Sequence, residues 1–363
     1  MMEHESISFF GTEREYEQNY REMENLFVKT LASGRTIGGE HVEQIEKLVS
    51  DLCSYHLSYV EKDMHAVAVG SGTDALFFAL KCAGVGPGDY VLTTAFSFMA
   101  TATTIKRVGA TPIFIDIDPD TFLLDLNKCI HLRVAKAMVF VDLFGVCPDF
   151  SVVENFCHTH DLVLIEDAAQ SFGGYSGNRP AGNMGDYACI SFDPTKVIGA
   201  PGGGGMVLCR WKERAEEIRK MRYKGQAGCN SQMSEFDAAI VEYKLSRLPE
   251  YTAKRWKIAQ YYNANIKISG FLTKPSHKPS VYQKYVMDFA ADDARGQMLD
   301  YLESKNIQTK IHYPYILPEK REYNQYACAW EASQFLFSIP IHPYLSDNEV
   351  EYIVKTINEN DIV

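Results

Sequence analysis

The chain has 363 residues, 46% of them hydrophobic and 23% charged, with a formal net charge of −11. That length suffices for one large and one small globular unit, and the acidic balance disfavours nucleic acid or an anionic membrane as partner, because phosphates are repelled at long range. No run approaches the ~20 apolar residues that cross a bilayer. The opening MMEHESISFFGTERE has no basic-then-apolar leader, and nine cysteines, scattered and without a C-x-x-C pair, read as reduced thiols in a cytoplasmic protein that holds no metal.

In chain order, the stretch before residue 60 reads as helices interrupted at Ser33-Gly34 and Gly38-Gly39. Short apolar runs follow at 65–69, 90–93, 112–116, 137–141, 162–166, 187–191 and 205–209. They are rich in Val, Ile and Phe and nearly without polar alternation, the pattern of strands buried on both faces. Helical patterns at 73–83, 98–108 and 148–160 fall between them, so the fold class is α/β, a mainly parallel mixed sheet flanked by helices. Beyond Pro249 a long helix to about 268, a strand near 281–289, a helix near 294–305, a strand at 309–312 and a last helix from Asp347 read as a smaller α+β domain. The expected domains are therefore 1–249 and 250–363.

Four features carry chemistry, each with a plainer reading beside it. Lys196 follows the run at 187–191 and precedes the glycine-rich Gly202-Gly203-Gly204-Gly205; strand ends are where α/β domains bind ligands, although most lysines only solvate a surface. The run at 162–166 ends in Glu166-Asp167, and a carboxylate there can pair with a cationic ring nitrogen or simply be a solvated loop residue. Gly70-Ser71-Gly72-Thr73 ends a strand and opens a helix, an anion site or a plain capped start. Phe96-Ser97-Phe98 follows another strand end, where an aromatic side chain stacks on a planar ligand or belongs to the core.

These features stand in the segments SGTDAL, AFSFMATA, PIFIDIDPDTF, IEDAAQSFG, GDYACISFDPTK, GCNSQMSEFDAAI and IHYP, from roughly Arg35 to the C-terminal helix. In that order they resemble the sugar aminotransferases of the DegT/DnrJ/EryC/StrS type, which have the aspartate-aminotransferase-like fold type I and use pyridoxal 5′-phosphate, with pyridoxamine 5′-phosphate as intermediate. The resemblance implies that Lys196 forms the internal aldimine, Asp167 pairs with the pyridinium nitrogen, Gln170 approaches the ring hydroxyl and Phe98 stacks on the ring. It also implies that Gly72, Thr73 and Ser191 hold the phosphate, and that Asn230 reaches it from the neighbouring subunit of a homodimer. L-glutamate is the implied amino donor in a ping-pong reaction. The implied acceptor is a nucleotide-linked keto-sugar, such as a dTDP-4-keto-6-deoxyhexose aminated at C4 or C3. His312, Tyr313 and His342 are candidates for the sugar pocket, each equally readable as a hydrogen-bonded structural residue, and Lys224, Arg222 and Lys310 for a diphosphate.

The sequence departs from the family pattern at Gln232, where arginine is common, at Asp142, where histidine is common, and in the glycine loop. Other readings remain open: a non-nucleotide acceptor such as an oxidised Kdo of lipopolysaccharide synthesis, a non-catalytic cofactor-binding regulator, a sugar 3-dehydratase (which would have histidine at Lys196) and a dinucleotide oxidoreductase.

Overall fold

A computed structural model describes residues 6–57, 60–129, 133–223, 225, 227–267, 280–289 and 294–360. Seven strands form the central sheet: β1 (His65–Val69), β2 (Tyr90–Thr94), β3 (Thr111–Ile115), β4 (Ala135–Val141), β5 (Val163–Asp167), β6 (Tyr187–Ser191) and β7 (Gly205–Cys209). Their spatial order is β1-β7-β6-β5-β4-β2-β3. β2 to β6 run parallel to one another, and β7 is antiparallel to both β6 and β1. Every expected strand of this sheet is present within two residues of its expected ends. Val67, Val69, Leu92, Ile165 and Ile190 are fully buried, and each such side chain removed from water stabilises the fold by about 1.5–3 kcal/mol before the cost of chain ordering.

The helices that cover the sheet are α1 (Thr12–Ala32), α2 (Glu40–Cys53), α3 (Gly72–Cys82), α4 (Ala100–Arg107), α5 (Phe150–Thr159), α6 (Lys212–Met221) and α7 (Glu235–Leu245). Ser71 caps α3 by accepting the Asp74 N–H at 3.1 Å, and Gly84, at φ +72°, supplies the left-handed turn that ends it. α2 has no cap of its own. Glu235, at the start of α7, accepts the Gly39, His41 and Val42 N–H groups at 2.7–3.0 Å and takes that place from across the fold.

The C-terminal elements are α8 (Leu248–Asn265), β8 (Tyr285–Asp288), α9 (Ala294–Ser304), α10 (Ala327–Phe335), β9 (Leu336–Ile339) and α11 (Asp347–Asn358). β8 and β9 pair antiparallel. The strand expected at 309–312 is only a bridge, Lys310 with Ser338: its residues lead straight into the irregular His312-Tyr313-Pro314 segment, and proline has no N–H for a ladder. There are two apolar cores. One is built on the sheet, and the other joins Ile7 to side chains between Ile258 and Ile357. α8 bridges them, with Leu248 and Tyr251 in the first and Ile258 and Tyr262 in the second, so the boundary expected at 249/250 falls in its first turn.

Candidate active site at the C-terminal ends of the strands

β5 and β6 are adjacent and parallel, with Asp167 opposite Cys189. Asp167 therefore ends one strand beside the connection that leaves the next. That connection, 192–204, is far longer than a hairpin needs. Its ends are tied by Phe192 N–H to Gly204 O at 2.9 Å, its middle by Lys196 N–H to Asp193 O at 2.9 Å, and its glycine arm by Gly202 N–H to the Asp237 carboxylate at 2.7 Å. Lys196 is thus held by backbone bonds where its amine and the Asp167 carboxylate act on each other electrostatically.

Burial pushes the Lys196 amine below its ordinary range, against the opposing pull of Asp167 and Asp193. Burial likewise raises Asp167, while the Ala169 N–H and Lys196 oppose that shift. Asp167 Oδ1 accepts the Ala169 N–H at 3.2 Å, and Oδ2 has no hydrogen bond among the described residues, which leaves it for a ligand.

Gln170 is pinned on both sides. Its Oε1 accepts the Phe144 N–H at 3.1 Å and its Nε2 donates to the Tyr313 hydroxyl at 3.0 Å. Tyr313, the second residue of the HYP segment, packs edge-on against Phe96 at 5.5 Å and beside Phe144 at 5.9 Å. Behind them Asp142 is fully buried and accepts the Ser171 hydroxyl at 2.7 Å. Its carboxyl is pushed well up, by burial first and by neighbouring Glu166 next.

Gly72 and Thr73 open α3, where first-turn amides have no acceptor within the helix. A Cβ at Gly72 would meet the Ser191 Cβ at 2.8 Å, and one at Gly205 would strike the Ser71 carbonyl, so only glycine lets the helix start settle onto the ends of β6 and β7. The result is a cradle of two amides and the Ser191 hydroxyl, suited to an anion. Ser231 accepts the Gly70 N–H at 2.9 Å and donates to Asp74 at 2.7 Å, which brings the exposed Asn230 to the rim. Phe98, four residues beyond β2, is 59% exposed and presents a bare ring.

Other expected residues are placed differently. His342 is 1% exposed and its Nε2 lies 3.1 Å from Ser8 O, so it packs under the N-terminal segment, where it borders a small cavity with Phe9, Thr195 and Lys284. Arg222 is structural: it binds Glu46 at 2.6 Å and the Ala68 carbonyl, bracing β1, and is not free to meet a diphosphate. Lys224 lies outside the described residues. Lys310 and His312 gather around the Phe9 and Phe10 rings together with Lys284, which the sequence did not single out, and Lys284 and His312 feel the charge of Lys196. A cleft of about 650 Å³ lined by Glu154, His158, Asp186 and Arg210 lies at the opposite, N-terminal ends of β5 and β6, away from all of these groups.

The site's residues suit the chemistry of pyridoxal phosphate: a buried amine, a carboxylate with a free oxygen, an amide-lined anion cradle and an exposed aromatic ring all follow the C-terminal ends of strands in one sheet. A mixed sheet with a lysine-bearing connection and an acid at the neighbouring strand end defines a fold type I transferase. The chain belongs to the DegT/DnrJ/EryC1/StrS aminotransferase family, whose model matches residues 17–358. It is 32% identical to a "Pleiotropic regulatory protein" of Geobacillus stearothermophilus, with 98% of each chain covered. It is 33% identical to the UDP-2-acetamido-2-deoxy-3-oxo-D-glucuronate aminotransferase of Pseudomonas aeruginosa, over 91% of this chain and 93% of that one. Among solved structures, Streptomyces venezuelae DesV in complex with a ketimine intermediate superposes with a TM-score of 0.89 at 26% identity, over 98% of both chains.

Proposed function

We propose that the protein is a pyridoxal-phosphate-dependent aminotransferase that moves the amino group of L-glutamate onto a nucleotide-linked keto-sugar. The observation that carries this reading is that Asp167, at the end of β5, and Lys196, on the connection after β6, act on each other electrostatically while both are buried, with the start of α3 resting on the end of β6. The Pseudomonas relative, named for a UDP-linked 3-oxo sugar, supports the acceptor class.

Each residue has a part. When bound, the cofactor supplies an electron sink for the donor's α-carbon. Lys196 Nζ holds the cofactor and, once released, takes the α-proton of the donor as general base, which requires it to be neutral. Its burial favours that state. The free oxygen of Asp167 keeps the ring nitrogen protonated. Gln170, fixed by Phe144 and Tyr313, meets the ring hydroxyl. Gly72, Thr73 and Ser191 hold the phosphate, Phe98 covers the ring, and His312 and Tyr313 face the substrates.

The reading includes a homodimer in which Asn230 completes the phosphate site of the neighbouring subunit. Phe27, Val28, Leu31 and Ile37, all exposed on one side of the chain, offer an apolar surface for it. Among the described residues no helix is long and apolar enough to cross a membrane, and all nine cysteines are free, in keeping with a cytoplasmic enzyme.

The name of the Geobacillus relative favours a second reading, a cofactor-binding regulator without turnover. One spectroscopic experiment separates the two. Protein loaded with pyridoxal phosphate is expected to lose its yellow absorbance when glutamate is added and to regain it with a nucleotide-linked keto-sugar. A cofactor band that glutamate leaves unchanged would establish the regulator, and a protein that takes up no cofactor would exclude both.

A further inference from the structure

Lys284 stands just before β8, and its backbone is tied to the site twice over. Its N–H donates to Phe144 O at 3.3 Å, on the residue whose N–H holds Gln170. The preceding Gln283 donates through Nε2 to Thr195 O at 2.7 Å, on the residue before Lys196. The Lys284 ammonium sits over the Phe10 ring at 4.4 Å and the Phe9 ring at 5.2 Å, and the Lys310 ammonium lies over the same Phe10 ring at 4.8 Å. The His312 ring is 5.5 Å from Phe9, and its Nε2 is buried with no hydrogen-bond partner.

The charges around this cluster do not balance. Lys284 lies among the cations Lys196, Arg255 and Lys310, opposed by Asp193, with Asp167 acting on Lys196 and Glu15 on Arg255. Asp193 Oδ1 is already taken by the Thr195 N–H and hydroxyl, at 2.9 and 2.5 Å. Arg255 donates to two carbonyls, Tyr282 O at 3.3 Å and Ile341 O at 2.5 Å, and to no carboxylate. Elsewhere the chain neutralises its enclosed cations: Lys244 meets Glu15 at 2.7 Å, and Arg219 and Arg222 meet Glu46 at 2.9 and 2.6 Å. Enclosed cations without a counter-ion are costly unless a ligand supplies the anion.

We propose that Lys284, with Lys310 and His312, forms a carboxylate-binding subsite beside Lys196. Burial and the surrounding cations depress both Lys284 and His312, His312 to about 2, so an arriving carboxylate would meet one group it can help to charge and one neutral ring nitrogen. The aromatic rings give the lysines an attractive but uncharged resting surface. The carboxylate is the distal group of a dicarboxylic amino donor or that of a sugar acid, and the subsite rests on the aminotransferase reading for its place in the reaction.

The test is calorimetric binding to the cofactor-loaded protein, using glutarate as donor mimic and UDP-glucuronate against neutral UDP-glucose as sugar-acid mimics. Wild type is expected to bind glutarate, or to prefer UDP-glucuronate over UDP-glucose by about tenfold; the arm that responds identifies the source. Lys284→Met should abolish that gain and leave the cofactor's absorbance band in place, with Lys310→Met weakening it less. If wild type binds no glutarate and shows no preference for the glucuronate, the subsite is refuted whatever becomes of Lys284→Met, and it is equally refuted if a folded Lys284→Met binds as wild type does. A protein that takes up no cofactor refutes the aminotransferase reading instead, and the same titrations on it still decide the subsite.

Discussion

The two ends of the central sheet treat charge in opposite ways. At the N-terminal ends of β5 and β6, Arg179 lies 2.7 Å from Glu154 and Arg210 lies 3.2 Å from the same carboxylate, so the cations beside a wide cleft have an acid in contact, although Arg179 Nε and Arg210 Nη1 stay buried without hydrogen bonds. At the C-terminal ends, Lys196, Asp167, Lys284 and His312 are enclosed without full partners. The first arrangement holds the fold together, and the second holds potential for a ligand. The cleft and the unmatched enclosed charge point to opposite ends of the sheet, and the charge is the sign expected of a ligand site.

Five substitutions and one change of pH sharpen that contrast. Lys196→Ala should abolish the cofactor's visible band and cut turnover by about 10⁴-fold, the upper end of what a general base contributes; retained turnover would remove the lysine from the reaction. Asp167→Asn should keep cofactor binding and lower kcat by about 10²–10³-fold, as for loss of one aligned electrostatic partner, and single-turnover bleaching with glutamate reads it directly.

Acid separates the two kinds of charge by its sign. The amine of Lys196 acts unprotonated and titrates below its usual range, so the rate of bleaching should fall by about tenfold per pH unit below its pKa. At Glu349, burial would raise the carboxyl, but the Arg14 guanidinium, 2.6 Å away, and Ser346 outweigh it and lower it to about 2. The stability it lends is present above the unfolded value near 4.5 and is lost as pH falls toward 2. Thermal melts of Glu349→Gln should therefore differ from wild type at neutral pH and converge with it in acid.

Tyr313→Phe removes one hydrogen bond to Gln170, and kcat/KM should drop by about fivefold with cofactor affinity little changed. Glu154→Gln, at the other end, should cost about 1–2 kcal/mol in urea unfolding and leave kcat within about twofold. A large loss of activity there would break the comparison.

The strands of the sheet were legible because burial on both faces leaves a continuous apolar run that no surface element imitates. The helix boundaries were nearly so, because Ser71 and Gly84 mark the ends of α3 by their own chemistry. Lys196, Asp167, Gln170 and Gly72 stood out because strand ends aim side chains into one opening. Lys284 did not. In VYQKYVMDF it reads as the outward position of an alternating strand, in register with Val286 and Asp288. In the fold β8 begins only at Tyr285, and the turn through Tyr282, at φ +47°, delivers Lys284 to the site. His342 was readable either as a pocket residue or as a hydrogen-bonded structural one, and only the three-dimensional path of residues 6–11 shows that the N-terminal segment covers it.

The placement of β7 has a consequence for how the molecule is made. β1 is an edge strand whose sole neighbour is β7, and the two are separated by roughly 135 residues of chain. At ribosomal speeds of about 5–20 residues per second, β1 waits some ~7–27 s for its partner to emerge. Until then its apolar backbone edge is open to wrong pairings, and a chaperone has a defined strand to shield. Ser71 and Gly72 meet Gly205 only when β7 slides into the gap, so the anion cradle is among the last features of the nascent enzyme to exist.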